Sequence, residues 1–238
     1  KPDQYQKVSP GAQKLTSKDV PTAFRAYADA IESRAWWRRK VDPTNLREPL
    51  RVPARIITGC LAARRAGAED SERLLRLARE AGDFLIVAQN QGGSGVYPFP
   101  AARGGSGGRP FDASEQLLRR LEAEGKMHEA VVNGWIVKDH GDGGLNFDNG
   151  LCGKAMIELY EATQDTKYLE SAKAAGAYAI AAPVVPNWNY NAFSVMLLAN
   201  LYRVTGDSQY LEAAKEKARL GLYPGQLKTG PRQGRWVD

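Results

Sequence analysis

Eight residues of one stretch recur 42 positions later. Leu159, Tyr160, Thr163, Asp165, Tyr168, Leu169, Glu170 and Ala172 return as Leu201, Tyr202, Thr205, Asp207, Tyr210, Leu211, Glu212 and Ala214. A fixed period of this size marks an array of similar units, none of which buries its apolar face alone. Apolar residues keep helical spacing on either side of a short break in each copy, so the unit is an αα-hairpin. In the second break, Gly206 tolerates the left-handed backbone that stops a helix, and Asp207 or Ser208 offers an oxygen to cap the next. Ala172 and Ala214 allow close helix approach. Tyr168 and Tyr210 are expected to pack on the preceding helix of their own hairpin.

The rest of the chain extends the pattern. Helices are expected from Asp19 or Thr22 to about Lys40, from Pro53 to Ala66 and from Ser71 to Gln89. Further helices are expected over Ala113 to Asp139, interrupted near Gly125 and Gly134, and over 148–163, 166–182, 191–205 and 208–222. The pair 53–66 and 71–89 is an earlier, diverged hairpin, with Ala78, Ala81 and Gly82 aligned on Ala172, Ala175 and Gly176. Trp36 and Trp37 face different sides of a helix, so both are not expected in the core. Three connectors combine polar and aromatic residues: 90–112, 139–150 and 183–191. The predicted fold class is all-α, an array of antiparallel helical hairpins in one domain over 1–238. A polar segment, 1–19, precedes it, and a basic Gly/Pro-rich tail, 223–238, follows.

Charge is unevenly placed. Residues 1–80 hold 17 Lys/Arg against 10 Asp/Glu, whereas the remainder holds 16 against 17. That asymmetry fits an anionic partner or, more simply, a solvated helix face. Cys60 and Cys152 sit within helical pattern among small apolar residues. Buried thiols and a disulfide both remain open, whereas no CxxC or Cys/His cluster suggests a metal site. No apolar run nears the ~18 residues of a membrane helix. The first residue is Lys1 rather than Met, which is expected of a processed or incomplete N-terminus.

The turns Thr163-Gln164-Asp165-Thr166-Lys167-Tyr168-Leu169 and Thr205-Gly206-Asp207-Ser208-Gln209-Tyr210-Leu211 resemble those of the (α/α)-toroid proteins, which include six-hairpin glycoside hydrolases and several polysaccharide lyases. Gln89-Asn90-Gln91-Gly92-Gly93 followed by Tyr97-Pro98 is similar to a segment of pectate-lyase-type toroids, with Ser94 where that segment has tryptophan. The resemblance implies an incomplete or open (α/α) toroid. A closed ring takes about twelve helices, and about eight are expected here. It implies cleavage of glycosidic bonds in a polysaccharide, by hydrolysis or β-elimination, and a secreted or periplasmic location. The alternative is a non-catalytic helical array that self-assembles as a homo-oligomer or binds glycan.

The three connectors precede helices at one phase of the hairpin, so they are expected to gather at one rim. Residues 139–150 offer Asp139, His140, Asp142, Asn146, Asp148 and Asn149. Neighbouring carboxylates split their pKa values and serve as acid and base in glycoside cleavage. The same oxygens could bind Ca²⁺, although their spacing is not that of an EF-hand, and no cofactor is otherwise expected. His140 could move a proton. His128, beside Met127, is read as structural. Elimination from a uronate needs a base, a proton donor and a cation; His140, Tyr97 or Tyr190, and Arg103 or Arg109 could fill those roles. Trp188, Asn189 and Tyr190 could stack on sugar rings and read hydroxyls. The candidates are thus His140, Asp142, Asp148 and Tyr190 for catalysis, with Tyr97, Arg103, Arg109, Asn146, Asn149, Trp188 and Asn189 for binding. The Gly-rich runs lack a phosphate-loop Lys-Ser/Thr, and no GxSxG or HExxH signature occurs. A nucleic-acid role would rest on the basic first third alone.

Overall fold

A computed structural model describes residues 19–104, 108–138 and 143–236. The described chain is mostly helical: α1 (Val20–Ser33), α2 (Arg51–Arg65), α3 (Ser71–Gly92), α4 (Arg109–Ala123), α5 (Met127–Ala130), α6 (Gly144–Thr163), α7 (Thr166–Ala181), α8 (Trp188–Thr205) and α9 (Ser208–Gly221). Three hairpins, α2–α3, α6–α7 and α8–α9, stand side by side. Helices α2, α6 and α8 contact one another in order and form one layer, labelled inner, with α3, α7 and α9 forming the other, labelled outer. Buried apolar residues from Ala28 to Ala214 make one continuous cluster.

The repeated turns are built alike down to single atoms. The Thr163 and Thr205 hydroxyls donate back to the Leu159 and Leu201 carbonyls at 2.7 and 2.8 Å. The same hydroxyls accept from the Asp165 and Asp207 amides. Asp165 then caps α7 through the Lys167 amide, and Asp207 caps α9 through the Gln209 amide. Gln164 and Gly206 are the left-handed residues at which α6 and α8 end.

The two tyrosines go further than the sequence expectation: each lies beside a leucine of the preceding helix of its own hairpin and also reaches across to the hairpin before. A methyl group on Gly82 of α3 would meet Leu159 and Tyr168; one on Gly176 of α7 would meet Leu201 and Tyr210. A leucine from the next inner helix and a tyrosine from the next outer helix thus seat on one glycine. Leu159 and Leu201 are fully buried, and such a leucine contributes about 1.5–3 kcal/mol. The aligned glycines 82 and 176 therefore mark the same joint in both places.

Three other expectations change. Helix α1 stops at Ser33, and Trp36–Arg38 form a separate 3-10 turn. Trp36 there meets Phe84 edge-on at 5.1 Å, while Trp37 is buried. The region expected as helix over 113–139 breaks after α5 into a β-hairpin, β2 (Val131–Val132) and β3 (Trp135–Ile136). Its turn, Asn133-Gly134, has positive φ at both residues, as a two-residue hairpin of this kind requires. Strand β1 (Phe99–Pro100) pairs antiparallel with β3, giving the order β1-β3-β2. Finally, α6 and α8 begin earlier than expected, at Gly144 and Trp188, so Asp148 and Tyr190 lie inside helices.

Candidate functional site

The first turns of α2, α6 and α8 meet around one ion pair. Arg51, the first residue of α2, donates through Nε and Nη2 to both oxygens of Asp148 at 2.6 and 2.9 Å. The Asp148 side chain is 1% exposed and that of Arg51 18%. Burial pushes the Asp148 carboxyl up from its usual range, while the Arg51 charge and hydrogen bond, and the Arg55 charge, pull it down. The Arg51 Cζ lies over the Phe147 ring, 4.3 Å from its centre. Phe147 in turn packs on Phe193 at 4.3 Å and on Tyr190 at 5.9 Å. Phe147, Tyr190 and Phe193 are all half-buried, and Arg55, one turn along α2, is exposed. The same layer continues with Thr58, which donates to Glu158, and with Lys154, which pairs with Glu158 at 2.7 Å. The result is a partly exposed aromatic cluster flanked by cations.

The sequence candidates separate into three groups. Tyr190 belongs to this cluster. Asp148 supports it from below and presents no exposed surface, so it positions Arg51 rather than meeting a ligand. Asn189 is exposed beside Tyr190 in the first turn of α8. Trp188 is half-buried, and a methyl group on Gly225 would run into its ring, so the 3-10 turn Tyr223–Gly225 covers that part of it.

A second group is structural, contrary to expectation. Tyr97 is fully buried, and burial pushes its phenol up. Ser171 gives its hydroxyl proton to Gln89 Oε1, so Tyr97 must donate to Ser171 Oγ, at 2.6 Å. Gln89 Nε2 donates to the Gly95 and Ser171 carbonyls. Asn149 accepts from the Tyr97 amide and donates to the Ala175 carbonyl. This network ties the loop after α3 to α6 and α7. Asn191, 42 positions beyond Asn149, binds the Val185 backbone and the Gly221 carbonyl in the same manner. Asn146 is also buried. These polar groups satisfy buried backbone and none faces solvent.

A third group lies elsewhere. Arg103 pairs with Glu122 of α4 at 2.8 Å, and Arg109 is exposed at the start of α4. Asp139, His140 and Asp142 fall outside the described residues.

The connectors do touch. Gly143 sits against Val185 and Tyr190, and the Tyr97 amide donates to Asn149. Sequence reasoning missed Arg51, Phe147 and Phe193. The register held one clue, since Tyr190 is 42 residues after Asp148. A charged residue and an aromatic at one repeat position mark where the joints differ. Cys60 and Cys152 are free and buried; burial pushes Cys60 up to about 12 and Cys152 well above its ordinary value. Among the described residues no group of three metal-capable side chains occurs, and no helix is long and apolar enough to cross a membrane. No family model, no curated protein and no solved structure matches this chain.

Proposed function

We propose that the three hairpins form an arc of an (α/α) toroid whose inner layer, α2, α6 and α8, binds an anionic polysaccharide and cleaves its glycosidic bonds. One observation carries this reading: Phe147, Tyr190 and Phe193 gather half-exposed beside Arg51 and Arg55. Aromatic faces suit the apolar faces of sugar rings, and guanidinium groups suit carboxylates. In an elimination the uronate carboxylate would lie by Arg55 and the outer edge of Arg51, His140 would take the C5 proton, and the Tyr190 hydroxyl would give its proton to the glycosidic oxygen as the C4–O bond breaks. The cations would stabilise the negative charge that develops when the C5 proton leaves.

A second reading, glycan binding without cleavage, draws on Asp148. That carboxylate is enclosed in its ion pair, whereas hydrolysis takes two carboxylates facing the sugar.

The test is incubation with polygalacturonate, alginate, a sulfated uronate glycan and neutral xylan. Ultraviolet absorbance of unsaturated uronides and release of reducing ends are followed together. Elimination predicts an absorbance rise with the uronates alone, lowered about a hundredfold or more by Tyr190→Phe. Binding by calorimetry with neither readout favours the second reading. No binding and no turnover refute both.

A further inference from the structure

A concavity lies against α3, away from the Arg51 cluster. It is a cleft of about 570 Å³ between α3, the residues after the 3-10 turn, and β3. That volume lies in the range of small-molecule sites, ~300–1,000 Å³. Glu80, Phe84, Val87 and Gln91, at helical spacing, form one wall. Trp37 and Trp135 also line it, at only 6% and 1% exposure, together with Arg38, Arg39 and Lys40.

The charges in the cleft are not equally engaged. Arg38 is held by Glu80 at 2.6 Å, and Asp83 by Lys167 at 2.8 Å and by the Tyr168 hydroxyl. Arg39 and Lys40 are exposed and have no ion-pair partner among the described residues. Gln91 spends its side-chain oxygen on the Trp135 indole, which leaves its amide N–H groups as donors. Trp37 is 94% buried by its 6% exposure, and its indole Nε1 has no acceptor. A buried donor without a partner is uncommon and points to a missing acceptor. Val87, half exposed, leaves apolar surface uncovered on the wall. Two carboxylates, Glu80 and Asp83, also line the cleft, each held by a cation through one oxygen; the charged side chains there without an ion pair among the described residues are the Arg39 and Lys40 cations, and the free donors are the Gln91 amide and the Trp37 indole.

We propose that this cleft binds a ring-bearing carboxylate. Its ring lies against Val87, its carboxylate faces Arg39 and Lys40, and an oxygen meets the Gln91 amide or the Trp37 indole. Sugar acids and aromatic acids share this chemistry. The site stands whether or not the inner layer binds glycan.

Intrinsic fluorescence of the full chain reads the site, because Trp37 and Trp135 line it. Digalacturonate and phenylacetate are titrated in separate arms, each against its methyl ester. At least one acid should give a saturable change, about tenfold or more weaker for its ester. Arg39→Ala with Lys40→Ala should weaken that binding by about tenfold or more, and Val87→Glu should weaken it through the opposite wall. Circular dichroism confirms that each variant is folded. Response to digalacturonate alone assigns a sugar acid, and response to phenylacetate alone an aromatic acid. The absence of saturable binding for both acids, by fluorescence and by calorimetry, overturns the proposal. Equally tight binding in folded variants of both kinds, or by the esters, overturns it too.

Discussion

The joint between α2–α3 and α6–α7 and the joint between α6–α7 and α8–α9 agree in the outer layer and differ in the inner one. Outside, each seats a leucine and a tyrosine on a glycine. Inside, the first is polar, with Arg51 on Asp148 and Thr58 on Glu158. The second is close-packed and apolar along most of its length, with one half-exposed ion pair, Glu161–Arg203, near the helix ends. A methyl group on Gly150 would strike the Phe193 backbone, and one on Gly153 the Leu197 side chain. Constancy outside and variation inside is what a scaffold shows when one face is fixed by packing and the other is free to serve a ligand.

The largest expected effect comes from the polar joint. Arg51→Met leaves the Asp148 carboxylate buried without its partner and should cost about 3–5 kcal/mol in urea unfolding. A cost under about 1 kcal/mol would mean that Asp148 takes up a proton readily, and that the two inner joints are more alike than they look.

The outer joints should respond equally to one another. Gly82→Ala and Gly176→Ala each crowd a leucine and a tyrosine and should each cost about 1–3 kcal/mol. Thermal unfolding of the pair checks this; a marked inequality would break the equivalence of the two glycines.

The smallest effect belongs to Glu161 and Arg203, one repeat apart and paired through both carboxylate oxygens across the second joint. Both side chains are near half exposed, so Arg203→Ala should cost only about 0.2–1 kcal/mol. The Arg203 hydrogen bond holds the Glu161 carboxyl below its ordinary 4.5. The unfolded chain therefore binds the proton more readily, and the contribution is present above that value and fades as pH falls through the folded one. Stability curves of the parent and the variant should converge in acid.

Much of the outer joint was legible in the sequence. The 42-residue register gave the last two hairpins and their turns, and the shared Ala-x-x-Ala-Gly spacing, 94 residues apart, aligned Gly82 with Gly176. It could not say onto which hairpin Tyr168 and Tyr210 fold, because spacing along a helix does not reveal its neighbour. The inner joint was harder to read. Arg51 and Asp148 are 97 residues apart, and nothing local to either names the other. Tyr97 and Asn149 were taken for binding groups because a polar side chain in a loop resembles a ligand contact until burial is known. The Asn133-Gly134 hairpin was announced by its dipeptide but masked by the surrounding helical pattern.

The engagement of Arg51 limits what its guanidinium can still do. With Nε–H and one Nη2–H committed to Asp148, three of its five N–H groups remain, both on Nη1 and the second on Nη2. The flank from Nε to Nη2 is closed, and only the tip between Nη1 and Nη2 can take a carboxylate with two parallel hydrogen bonds. The ion pair therefore fixes the side from which Arg51 can meet an acidic group: end-on, never along its flank.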